Sequence, residues 1–150
     1  MRVEFTKHEK NGRLACVWVA TYGKNTKVPG SFMAAGAGLP HDLSQYVVEA
    51  AVGFRNGFWD LVGRGATFKS TGRRATKPGR AIIAEHRRDL DASERVAGEH
   101  MAAWQSGTST DVTSALDRAL EQWRSMRPGE VLVFDWPSPL GEVRRAAVAG

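Results

Sequence analysis

A single cysteine, Cys16, stands in the 150-residue chain, so no internal disulfide can form and no paired-cysteine metal spacing exists. It lies in an apolar alternating run, which favours a buried structural thiol over a nucleophile. The four histidines include no HExxH or other two-histidine spacing, so no zinc-hydrolase signature is present. No apolar run approaches the roughly 20 residues of a membrane span, and the opening MRVEFTKHEK is charged, without the apolar centre of a signal peptide. A cytoplasmic chain with no membrane contact is therefore expected. Internal repeats and a second domain are also missing from the pattern, and a chain of this length can bury roughly two-thirds of its unfolded surface, so residues 1–150 are expected to form one globular domain.

What is present begins with strands. RVEFT alternates Val3 and Phe5 against polar neighbours, and RLACVWVA places Leu14, Cys16, Trp18 and Ala20 on one side with Ala15, Val17 and Val19 on the other. A bend at Asn11-Gly12 predicts that the two form a hairpin whose second strand is buried on both sides. Thr21 to Gly38 is rich in Gly, Lys and Asn and reads as a surface connection. Its Gly23-Lys24 pair is no phosphate loop, because Trp18 stands where the first glycine is needed and Asn25 follows the lysine.

Helices are expected over Leu39 to Val52, through Phe58 to Val62, and from Gly79 or Arg80 to Gln105, the last along a stripe of Ile83, Leu90, Ala97, Met101 and Trp104. Thr108 to Asp111 has the form of a capping box, and Leu116, Ala119, Leu120 and Trp123 repeat at helical spacing after it. Val131 to Trp136 reads as a buried strand, and the alanine-rich tail from Gly141 as a short helical turn. Without regular strand-helix alternation the fold class is α+β: a small antiparallel sheet, the N-terminal hairpin plus the C-terminal strand, packed against three to four helices.

Two places carry the candidate chemistry. On the first helix Asp42, Gln45 and Glu49 share one face, with His41 at its edge. These groups suit a divalent metal or a base acting on water, with His86 or His100 completing the set of His41, Asp42 and Glu49. Alternatively, Asp42 complements the helix dipole, His41 covers unpaired amides, and Gln45 with Glu49 form a solvated face. LPHDLSQYVVE followed by GFRNGFWDLVGRGATF resembles a small uncharacterised actinobacterial protein family, in which a Pro-His-Asp-Leu helix carries a further histidine and a Val-Glu pair before a Gly-Phe turn. The resemblance spans about residues 39–68 and rests on Pro40, His41, Asp42, Leu43, Val48, Glu49, Gly53 and Gly57. Gln45 stands where the family has histidine, which weakens an inherited ligand set. The resemblance implies no activity.

The second place is charge. Between Arg64 and Arg88 eight basic residues, Arg64, Lys69, Arg73, Arg74, Lys77, Arg80, Arg87 and Arg88, face one acid, Glu85; the rest of the chain holds 13 basic and 15 acidic residues. The basicity is local, as in a contact for an anionic partner. Residues 66–79 within it have the composition of a flexible loop. Phe68 is the segment's one aromatic residue, which gives little for stacking on unpaired bases, and no helix-turn-helix, zinc-finger or RNA-recognition signature occurs. The alternatives are a solvated surface and an acidic protein partner. The expectation is a non-catalytic binding or regulatory protein, without cofactor, that contacts nucleic acid through these eight cations. A metal-binding or hydrolase-like protein comes second. A subunit of an assembly comes third, since Trp59, Trp104, Trp123 and Trp136 exceed what a small core needs.

Overall fold

The computed structural model describes residues 1–30, 32–36 and 38–145. The chain runs β1 (Arg2–Lys10), β2 (Arg13–Tyr22), β3 (Thr26–Pro29), β4 (Met33–Ala34), α1 (His41–Val52), α2 (Phe58–Gly63), α3 (Lys77–Glu85), α4 (Arg87–Gln105), α5 (Thr113–Ser125), β5 (Val131–Asp135) and β6 (Glu142–Arg144). This is an α+β domain around one antiparallel sheet of order β3-β2-β1-β5-β6, with β4 also paired to β2. No helix among the described residues is long and apolar enough to cross a membrane.

The hairpin of β1 and β2 turns at Asn11 and Gly12, whose φ angles of 54° and 76° lie in the left-handed region that two-residue hairpins require. Register then sorts the faces. Val3 pairs with Ala20 and Phe134, and Phe5 with Trp18 and Leu132. All six are buried and belong to the main core with Leu43, Tyr46, Val47 and Val48 of α1. The opposite face carries Glu4, Thr6, Val17, Val19, Val131 and Val133, all half-buried. On the second strand Cys16, Trp18 and Ala20 are buried on the helix side, while on the other Ala15 is buried and Val17 and Val19 are half-buried. Glu4 there pairs with Arg2 at 3.4 Å and Arg144 at 2.6 Å.

Four details depart from the sequence pattern. Thr21 to Gly38 is more than a connection, because Thr26–Pro29 and Met33–Ala34 pair with β2 along its open edge. The expected helix ending at Gln105 is two helices, beginning at Lys77 and broken at His86, whose φ and ψ of −110° and 22° leave the helical region. The apolar stripe runs through the break, which has neither glycine nor proline; Arg64 meets His86 Nε2 there at 3.2 Å, a contact set by the tertiary fold. The start of α5 uses Thr110 and Thr113 in place of the capping box, with the Thr110 amide donating to Thr113 Oγ1 at 2.8 Å. The tail contributes β6 before residues 146–150, which lie outside the described residues.

The core absorbs much of the indole. Trp18, Trp59 and Trp123 are fully buried, while Trp104 and Trp136 pack partly against the core and Trp104 donates to Asp117 at 2.8 Å. Gly30 is required by this packing: a side chain there would stand 2.2 Å from the Trp18 ring.

Candidate functional site

Helix α1 is the central helix of the fold, buried from Leu43 to Ala50 apart from Gln45. Asp42 turns toward the sheet, where one carboxylate oxygen accepts from the Trp18 indole N–H at 2.8 Å and the other meets His41 Nδ1 at 3.1 Å. That bond to Asp42 raises the His41 pKa above its ordinary value, against the opposing effect of desolvation. The His41 ring itself is 82% exposed.

Glu49 corrects the solvated-face expectation, since it is fully buried. Its carboxylate accepts from Gln45 Nε2 at 2.9 Å and from the Trp59 backbone N–H at 3.2 Å, tying α1 to α2. The Ser93 hydroxyl of α4 lies beside it, close enough to favour the charged form but outside hydrogen-bond geometry. Gly57 opens the space, because a side chain there would sit 2.5 Å from Glu49 Oε1 and 2.6 Å from Ser93 Oγ. Burial pushes the Glu49 pKa up to about 7, and these polar neighbours only partly oppose it.

The residues proposed to complete a metal site do not meet these acids. His86 is engaged with Arg64, and His100 with Thr110 Oγ1 at 3.1 Å. Among the described residues no group of three or more His, Cys, Asp or Glu side chains could hold a metal ion. A groove of about 510 Å³ does lie between α1 and α4, lined by Leu39, His41, Gln45, Glu94 and Met101 among others, but Glu49 is behind its wall.

The basic segment is differently built. Thr71 and Gly72 pair at the end of β3: Gly30 bridges Thr71, and the Gly72 amide donates to the Pro29 carbonyl at 2.8 Å. Thr67 Oγ1 accepts from the Thr76 amide at 3.2 Å, and Thr76 Oγ1 accepts from the Gly79 amide at 3.0 Å as the side-chain cap of α3. The loop is therefore held at both ends and covers a sheet edge.

This framework divides the eight cations. Arg64 pairs with Asp60 at 3.7 Å and donates to Asn56; Arg87 pairs with Asp91 at 3.3 Å. Arg73 lies over the Tyr22 ring, 5.6 Å from its centroid, and donates to its hydroxyl. Lys69, Arg74, Lys77, Arg80 and Arg88 are exposed and make no ion pair with a described residue.

Beside them is a cleft of about 680 Å³ that sequence reasoning missed. Phe68, Ile83 and Ala84 supply its apolar surface, and Lys69, Arg80 and Arg87 its charge; no acid among the described residues lines it. Phe68 is backed by Phe58, with ring centroids 4.6 Å apart. The sequence signal for this arrangement was Thr76-Lys77-Pro78, a capping residue followed by proline in the first turn, which fixes where α3 starts and which of its residues face the loop. An apolar floor with cations around it can hold a flat apolar group joined to an anion. Compared with models of known families, with curated proteins and with solved structures, the chain matches none.

Proposed function

We propose that this chain is a non-catalytic binding or regulatory protein that contacts an anionic partner, nucleic acid, through residues 66–76, α3 and the first turn of α4. One observation carries the proposal: Lys69, Arg74, Lys77, Arg80 and Arg88 are exposed along a single segment, with no acid among the described residues paired to them. Phosphate contact needs guanidinium and ammonium groups free of competing carboxylates, and releases counterions on binding. Arg64, Arg73 and Arg87 contribute less, because each already has a partner within the fold.

Fluorescence anisotropy with labelled oligonucleotides of unrelated sequence tests this. Replacing Arg74, Lys77 and Arg80 together by alanine is expected to weaken binding at least about tenfold on all sequences alike, while Arg64→Ala changes it little. Equal affinity of the triple variant and the parent protein, or no binding by the parent, would refute the proposal.

A further inference from the structure

We infer that the cleft between residues 67–70 and α3 seats a base of an unpaired nucleic-acid strand, with the strand's phosphates on the cations around it; this rests on the nucleic-acid function proposed above.

A surface that only recognises the phosphates of a duplex needs cations and shape, and the flat faces of duplex bases are hidden in the stack. Here the cations surround an apolar recess instead. Phe68 is held from behind by Phe58, so its ring is a fixed wall, and Ile83 and Ala84 of α3 provide further apolar contact. The volume of about 680 Å³ is within the range of pockets that enclose a small organic ligand, so an extruded base fits. Lys69 and Arg80 line the same recess and place positive charge where the sugar-phosphate of that base would lie, while Arg87 beside them is held by Asp91.

The cations favour a strand over a free nucleotide. Lys77 and Arg80 lie one turn apart on α3, Arg88 lies in the first turn of α4, and Arg74 lies before the cap. Nine residues of helix extend about 14 Å, more than one nucleotide's phosphate occupies, so successive phosphates are needed to engage them. A base stacked on an aromatic ring has no strong sequence demand, which predicts a preference for single strands with little dependence on sequence.

The test uses the full chain with three probes: a labelled single strand of about 12 nucleotides, the duplex of the same length, and inorganic polyphosphate. Two variants alter the recess without removing charge. Phe68→Leu keeps an apolar contact with Phe58, and Ala84→Gln fills the opening from an exposed helical position. Stacking is worth about 1–3 kcal/mol, so each variant is expected to lose about 5- to 140-fold affinity for the single strand. Both should retain parental binding to polyphosphate, and Ala84→Gln, at an exposed position, should retain parental thermal stability. The parent protein should prefer the single strand over the duplex by at least about tenfold.

Equal binding of single strand and duplex, or parental single-strand affinity in Ala84→Gln, would overturn the inference while leaving the charge-based function standing. A mononucleotide that binds as tightly as the strand would also overturn it, by assigning the cleft to a free nucleotide. Failure of the parent to bind any of the three polyanions would remove the underlying proposal itself.

Discussion

Glu49 turns its carboxylate inward at the junction of three helices, and its titration is linked to stability. Burial raises its pKa from the ordinary 4.5 to about 7, so between these values the folded chain holds a proton that the unfolded chain has released. The unfolded state then binds fewer protons, and the stability of the fold falls as pH rises through that window. The penalty is absent below pH 4.5 and complete above about pH 7, where it is on the order of 3 kcal/mol. Glu49→Gln removes the charge and retains a carbonyl for the Trp59 amide. Urea denaturation is expected to show a flatter stability profile between about pH 5 and 7.5, with the variant more stable than its parent at about pH 8. Parallel profiles for the two proteins would show that Glu49 does not titrate in this range. The burial was hidden in the sequence because helical spacing puts Glu49 on the face of Asp42 and Gln45. What turns it inward is distant: the Trp59 amide, and the space left by Gly57 against Ser93.

At the scale of elements, legibility followed the length and regularity of the pattern. The hairpin, α5 and β5 each carry their own period, Asn11-Gly12 marks its own bend, and all three elements form where the pattern puts them. Strands β3 and β4 have four and two residues, too few for a period to declare itself, and they pair because the edge of β2 away from β1 is otherwise open. The break at His86 was invisible because the stripe from Ile83 to Leu90 crosses it intact. Of the candidate site, the charges were legible but not their division, since the partners Tyr22, Asn56 and Asp60 come from other segments or depend on a fold-specific geometry. The start of α3 deserves a direct measurement. Thr76→Ala removes the acceptor of the Gly79 amide and is expected to cost about 1 kcal/mol, with faster hydrogen exchange at Gly79 and Arg80. Thr76→Ser should restore both. Unaltered exchange in Thr76→Ala would mean that Pro78 and the contact with Thr67 order this turn without the cap.

Over the whole molecule, the net charge of +5 conceals a division: a surplus of seven positive charges between Arg64 and Arg88 and a slight acidic excess elsewhere. A polyanion is therefore drawn to one side of the domain, and the five unpaired cations set an upper limit on the counterions it displaces. For a single strand each neutralised phosphate contributes about 0.7 to the slope of log K against log salt, so a slope of about −3.5 is the ceiling if all five engage. Arg64, Arg73 and Arg87 would steepen it further only by leaving Asp60, Tyr22 and Asp91. Replacing Arg74 and Lys77 by glutamine is expected to reduce the slope by about 1.4 and to lower affinity by the same factor on every sequence, while Phe68→Leu lowers affinity at unchanged slope. Titrations between about 50 and 200 mM salt separate the two effects. A slope near zero in the parent would place the binding energy outside the basic segment. A slope well beyond −3.5 would instead mean that the three internally paired arginines exchange their partners for phosphate, so that binding rearranges the α2–α3 junction as well as covering it.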